Sequence, residues 1–212
     1  MGGSRPSHTG SFQGRNFMKK IALIFALVAI MLSSCFILDN YEIDVLVHKD
    51  GSYDFSYQGE LNFVPALEAV IEGTFDEDDQ EDLQEIIQSL KDNEEFTSVK
   101  DLGKGKIKVE VKRKVDAGED YFFIDKDLKY YAFDYNDEGE LSMEGFKVDE
   151  DGKKVLKTLG SKLKGSLIVQ VPKSIKVVSH NADKKKKIDK KFIAYTWKLD
   201  LNSEKPKITL RP

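Results

Sequence analysis

The chain has 212 residues, of which 40% are hydrophobic and 33% charged, and its formal net charge is −4 at pH 7. All 37 acidic residues but only 29 of the 33 basic residues lie beyond residue 34, so that part carries 29 minus 37, or −8. This balance excludes a general nucleic-acid binder, which would be basic. A chain of this length can bury roughly 70% of its unfolded surface without disulfides or a metal.

The first elements in chain order have the pattern of a targeting segment. Lys19 and Lys20 precede the apolar run "IALIFALVAIML", and Ser33, Ser34 and Cys35 follow it. This order of positive, apolar and small residues is that of a secretory signal. The run is too short for a spanning helix, which needs about 17–25 apolar residues. The alternative is a core cysteine buried at the end of an apolar helix.

The ending "LSSC" resembles the lipobox of bacterial lipoproteins. The resemblance implies diacylglycerol on the Cys35 sulfur, cleavage before Cys35 and, in many bacteria, acylation of the freed amine. We interpret residues 1–17 as a mis-called start or cloning residues, and 18–34 as the signal peptide, with Met18 the natural first residue. Residues 35–212 are then a single α+β envelope domain. Its lone cysteine makes no internal disulfide.

Two alternating runs come next, "YEIDVLVH" from Tyr41 and "YDFSYQ" from Tyr53, and they flank an Asp-Gly pair. This pattern predicts a β-hairpin. In "DEDDQEDLQEIIQSLKDNEEF" the apolar residues recur at helical spacing, which predicts one amphipathic helix with an acidic start. The apolar residues of this stripe are Leu83, Ile86, Ile87 and Leu90. The preceding "VPALEAVI" can add a turn or two.

The rest of the chain alternates between strand and turn patterns. "GKIKVEVKRKV" predicts a half-buried strand with a lysine-rich outer face. "KYYAFDYNDEGELSMEGFKV" predicts a second hairpin, and "DEDGKK" (149–154) a turn. Strands "SLIVQVP", "IKVVSH", "FIAYTWKLDL" and "KITL" follow, with the basic run "KKKKIDKK" as a loop. The sum is an α+β fold: a mostly antiparallel sheet, or sheets, of about eight strands with one main amphipathic helix.

No stretch carries a catalytic motif. His48 and His180 lie in different strand regions without metal or acid–base spacing. The segment "DYNDEGELSMEG" resembles a calcium loop in its first half, but Gly145 stands where a bidentate glutamate is needed, which predicts a plain turn. We therefore expect no catalytic residue, no metal, no cofactor and no enzyme activity.

Two groups of lysines are candidates for contact with an anionic lipid surface. Solvated lysines on a sheet face and a loop are the simpler interpretation. Tyr41 lies six residues after Cys35, a span of about 20 Å when extended, so the domain would stay near the bilayer. Each lysine near an anionic leaflet contributes about 1 kcal/mol. The candidates are Lys106, Lys108, Lys112, Lys114, Lys184, Lys185, Lys186 and Lys187.

Aromatic residues concentrate in "YFF" and "YYAFDY". Core packing is the expected role, and the alternative is a lipid or glycan groove. Alternation predicts that Tyr131, Phe133 and Tyr135 share one face.

The order of elements resembles that of the LppM-like bacterial lipoproteins. The resemblance is carried by "LSSC", the immediate hairpin "YEIDVLVHKDGSYDFSY", the amphipathic helix and the end block "GSLIVQVP…VVSHNA…YTWKL". It implies an α+β envelope domain with no established enzyme activity.

The sequence as a whole predicts a lipid-anchored bacterial cell-envelope protein that binds a lipid, a glycan or a partner protein, with no nucleic-acid partner. Acyl chains on Cys35 would attach it to the cell membrane or outer membrane, on the extracytoplasmic side. In bacteria with two membranes, Phe36 favours the outer membrane, since aspartate at that position is associated with inner-membrane retention. The alternatives are a small lipid carrier, an interaction module using helix 76–93 or the lysine face, and an enzyme whose site is assembled from distant residues.

Overall fold

The computed structural model describes residues 36–124 and 130–212, which form two β-sheets and three helices. The strands of this part are β1 (Phe36–Val47), β2 (Tyr53–Phe63), β3 (Phe96–Gly103), β4 (Lys106–Val115), β5 (Tyr121–Phe123), β6 (Tyr131–Tyr135), β7 (Leu141–Glu144), β8 (Gly165–Pro172), β9 (Lys176–His180), β10 (Lys184–Lys187), β11 (Phe192–Leu199) and β12 (Lys207–Arg211). The helices are α1 (Val64–Glu72), α2 (Glu77–Asp92) and α3 (Glu150–Thr158). All described residues belong to one compact unit.

The first sheet has seven strands in the order β10-β11-β8-β1-β2-β4-β3. Its strands β1 and β8 run parallel, whereas its other neighbouring strands are antiparallel. The second sheet has five antiparallel strands in the order β5-β6-β7-β12-β9. The predicted α+β class with mostly antiparallel strands is therefore confirmed, while the numbers of strands and helices exceed the prediction.

The predicted first hairpin is confirmed as β1 and β2, joined by a turn in which the Gly51 amide donates to the carbonyl of His48 at 3.1 Å. The strand begins earlier than predicted, at Phe36 and not at Tyr41. A bulge with Asn40 at φ 46° shifts the register between Asp39 and Glu42. Because a bulge interrupts the alternation, the pattern before it does not read as part of the same strand.

Helix α2 confirms the predicted amphipathic helix. Its apolar stripe buries Leu83 and Ile87, and Asp76 caps it by accepting from the backbone amides of Asp78 and Asp79. The segment that was predicted to add a turn or two to this helix forms a separate helix, α1. It ends at Glu72 and is capped by Gly73 in the left-handed conformation.

Helix α3 lies where a turn was predicted, so that prediction is wrong. Its only buried residue is Gly152, whose amide donates to the Asp149 side chain at 2.7 Å. Its apolar face is short: Val155 and Leu156 are half-buried on the side of Gly152, and the acidic, glycine-containing start of the helix has the composition of a turn. It is supported by this cap and by an ion pair between Glu150 and Lys153 at 2.7 Å.

Three strands escaped prediction, two because they lack alternating burial and one because it is too short to show a pattern. β3 is half-buried or exposed throughout, β5 has three residues, and all four lysines of β10 are exposed. The run Lys184–Lys187, expected in a loop, pairs with β11 from Thr196 to Ile193. Consecutive lysines suit an edge strand, since charge there discourages pairing with other chains.

The aromatic residues pack as a core between the two sheets, as predicted. The rings of Tyr53 and Phe133 lie 5.3 Å apart, and Phe55 contacts Tyr121 and Phe123 at 5.1 Å each. Tyr131, Phe133 and Tyr135 all face the first sheet: the Tyr131 hydroxyl bonds that of Tyr41, and the Tyr135 hydroxyl donates to the Gly51 carbonyl. Their predicted common face is therefore confirmed.

Tyr53 offers a test of this core. The residue is 1% exposed, and its hydroxyl has no hydrogen-bond partner among the described residues. Because an unsatisfied buried hydroxyl costs free energy, we expect Tyr53→Phe to raise the free energy of unfolding by about 1 kcal/mol in urea titrations. The matched control Tyr57→Phe should lower it by about the same amount, because the Tyr57 hydroxyl donates to the Glu60 carbonyl at 3.0 Å. Equal effects from both variants would contradict this account.

Within the described ranges, none of the three helices combines the length and the apolar content needed to cross a bilayer.

Candidate binding cleft and lysine surfaces

A cleft of about 230 Å³ opens where β9 of the second sheet meets the β8, β10 and β11 side of the first. Val171 and Tyr195 are each 1% exposed and form its most buried part. The cleft is lined by Val171, Pro172, Lys173, Ile175, Val177, Lys185, Ile193 and Tyr195.

Strand register determines which side chains enter the cleft. Ile193 pairs with Val171, and Tyr195 pairs with Lys185, so these residues project to the inner face of the first sheet. Pro172 ends β8, and its carbonyl accepts from the Ile175 amide at 3.0 Å. This turn carries the chain to the second sheet.

Two lysine ammonium groups stand in an otherwise uncharged lining. The Lys185 Nζ lies 5.2 Å from the centroid of the Tyr195 ring, a cation–π contact. The Lys173 Nζ donates to the carbonyl oxygens of Asp189 and Lys190 at 3.0 Å each. An ammonium has three donors, so one remains for a ligand. No lining residue is acidic, and the cleft therefore favours anions.

The acidic residue on the adjacent loop is already satisfied. The Asp189 carboxylate accepts from the backbone amides of Lys191 and Phe192 at 2.6 and 2.8 Å. These two bonds hold the pKa of Asp189 below its usual value. Asp189 therefore orders the loop at the cleft margin.

The structure does not bring the eight candidate lysines together. All eight are exposed, but five inter-strand steps separate β10 from β4, or about 24 Å. Lys106 lies level with Ile37 at the start of β1, since both pair with Asn62. Lys114 and the β10 lysines lie toward the other end of β1.

Two of the four candidate lysines on β4 also face carboxylates on the outer surface of the first sheet. Lys108 pairs across the strands with Glu60, and Lys114 pairs with Asp54. These cross-strand neighbours offset part of the lysine charge. Lys185 differs from this group because it turns inward to the cleft.

His48 follows β1 of the first sheet, His180 lies on β9 of the second sheet, and neither lines the cleft. The His48 Nε2 lies 3.1 Å from an Asp54 carboxylate oxygen, with both side chains 41% exposed. The His180 ring contacts the Tyr195 ring at 4.7 Å. Among the described residues, no group of three possible ligands could hold a metal ion.

The calcium-like segment is a hairpin turn between β6 and β7. The Asn136 side-chain oxygen accepts from the backbone amides of Glu138 and Glu140 at 3.0 and 2.9 Å. The Glu140 carboxylate accepts from Arg211. The side chains of Asn136 and Glu140 thus hydrogen-bond within the protein, and the segment forms the predicted turn.

Sequence reasoning missed the cleft, because its lining comes from three separate segments of the chain: 171–177, Lys185 and 193–195. Lys185 was predicted only as one of four consecutive lysines that contact a lipid surface, and its inward orientation was not predicted. Cys35 lies outside the described residues, so its lipidation stays a prediction.

Comparison with known proteins finds no family model that matches this chain and no match among curated proteins.

Proposed function

We propose that this chain is a lipid-anchored bacterial cell-envelope lipoprotein of the LppM-like type, whose folded domain binds a ligand and performs no catalysis. The observation that carries the proposal is the lipobox-like ending at Cys35, with the first strand starting at Phe36. Signal and fold therefore adjoin at the residue where a lipoprotein is cleaved.

The absence of a spacer has a consequence for orientation. An acyl group on Cys35 would hold the start of β1 at the lipid surface. Phe63 pairs with Phe36, and its amide donates to the Gly105 carbonyl at 2.7 Å, so the β3–β4 turn lies at this end. Lys106 and Lys108 are close to this turn. We therefore favour these two lysines for contact with anionic headgroups.

Replacing the anchor residue tests the proposal. We expect the wild-type chain, expressed in bacteria with radiolabelled palmitate, to carry label and to sediment with membranes. Cys35→Ser should lose both properties, because serine oxygen does not replace the thiol in this modification. The control Ser34→Ala keeps a small residue before the cysteine and should behave as wild type. An unlabelled, soluble wild-type protein would refute the anchor.

The cleft supports a second candidate function, that of a carrier for a small apolar molecule. The aromatic residues do not supply its cavity, because Phe55, Phe123 and Phe133 are each 1% exposed and packed against one another. A carrier would have to use the cleft beside Tyr195.

A further inference from the structure

We propose that the cleft beside β9 binds a compact organic anion, with an apolar body of about eight heavy atoms and one carboxylate or similar group. The inference rests on the proposed binding role, but it is independent of the acyl anchor.

Volume sets the size of the ligand. A water molecule or a similar small group occupies about 30 Å³, so a cleft of about 230 Å³ holds about eight of them. A phospholipid with two long acyl chains has several times as many heavy atoms, so most of it would remain outside the cleft. The walls contributed by Val171, Ile175 and Val177 favour an apolar body.

Charge sets the chemistry of the head group. Lys185 and the remaining donor of Lys173 are the two cations in the lining, which contains no carboxylate, and the Asp189 carboxylate at the cleft margin offsets part of the Lys173 charge. An acidic head between these ammonium groups would gain charge-assisted hydrogen bonds. The exposed neighbours Lys184, Lys186 and Lys187 raise the local concentration of anions further.

Position along the sheet indicates where the ligand comes from. Leu46 pairs with Gln170, next to the cleft residue Val171, whereas Phe36 lies at the opposite end of β1. A strand of this length spans about 35 Å. With β1 perpendicular to the membrane, a bilayer that holds acyl chains on Cys35 lies at the end of β1 opposite the cleft. The ligand therefore enters the cleft from solution.

Titration with matched probes tests the inference. Octanoate, the neutral octanamide and the cationic octylamine are titrated by calorimetry into the full-length protein in phosphatidylcholine nanodiscs, against empty discs. We expect saturable one-to-one binding of octanoate and at least about tenfold weaker binding of the other two. Lys185→Gln should weaken octanoate binding about tenfold. Lys184→Gln, on the outward side of the same strand, should weaken it by no more than about twofold, because it removes only a long-range charge.

Three outcomes would overturn the proposal: no saturable octanoate binding, equal binding of octanamide, or equal effects of the two lysine variants. Ile193→Trp, which fills the cleft, should abolish binding without removing either cation. Replacing half of the phosphatidylcholine by phosphatidylglycerol should not compete with octanoate, and competition would make bilayer headgroups the ligand. If Cys35 proves unlabelled, the same titration is made on the soluble full chain, so failure of the anchor and failure of the cleft are distinguished.

Discussion

Raising the pH through about 10 to 12 is expected to lower the free energy of unfolding by several kcal/mol. Burial raises the pKa of Tyr41 from 10.0 to about 12, and it also raises the pKa values of Tyr53, Tyr57, Tyr121 and Tyr131. The folded state thus favours the neutral phenols. Their contribution to stability is complete below the unfolded pKa and is lost as the pH rises toward the folded pKa.

Tyr41 shows how tightly these rings are held. It is 4% exposed, its hydroxyl bonds that of Tyr131 at 3.1 Å, and its ring stacks on Tyr57 at 5.9 Å. A β-carbon added to Gly165 would lie 2.4 Å from the ring, so glycine is needed there. An ionised Tyr41 phenol would lose its hydration on folding, and no cation is among the groups that affect its pKa. The rise of the Tyr41 pKa from 10.0 to about 12 alone corresponds to about 3 kcal/mol of folding free energy.

Urea titrations at intervals from neutral to alkaline pH measure this effect. Each tyrosine that stays protonated only in the folded state contributes a slope of about 1.4 kcal/mol per pH unit. Tyr41→Phe should therefore reduce the slope above pH 10 by up to that amount. A free energy of unfolding that does not change through this range would show that the phenols ionise equally in both states.

Removing the Asp39 carboxylate is expected to cost about 3 kcal/mol. The residue is 7% exposed and links the start of β1 to the segment before β8. Its carboxylate accepts hydrogen bonds from the amides of Asn40 (3.0 Å), Lys162 (3.2 Å) and Lys164 (3.0 Å) and from the Ser161 hydroxyl (3.2 Å). Alanine would leave these donors unsatisfied where water has little access.

Urea denaturation of Asp39→Ala beside Asp44→Ala measures this cost. Asp44 lies on the same strand but is only half-buried, and its carboxylate accepts from the Gln170 side-chain amide at the long distance of 3.4 Å. The control should change stability by no more than about 0.5 kcal/mol. Asp39→Asn, which keeps one acceptor oxygen, should lie between the two. Similar small effects from both alanine variants would mean that the segment before β8 is held by packing alone.

Residues with strong local periodicity could be predicted correctly. Val109 and Val111 alternate with exposed or half-buried charged residues in β4, and Leu83 and Ile87 recur at helical spacing in α2. Elements stabilised by a cap or by an edge position could not, as α3 and β10 demonstrate. The four residues of β10 are all lysines, and they form a strand by pairing with β11, whereas α3 begins in an acidic, glycine-containing segment with the composition of a turn.

The signal-like order ending at Cys35, the first hairpin and the amphipathic helix could be predicted from the amino-acid sequence, because each depends on residues close together in the chain. The folded structure was needed to find the parallel pairing of β1 with β8, the separation of the two lysine groups and the cleft beside Tyr195. These features depend on which apolar faces bury one another over long sequence separations, and local patterns do not encode that choice.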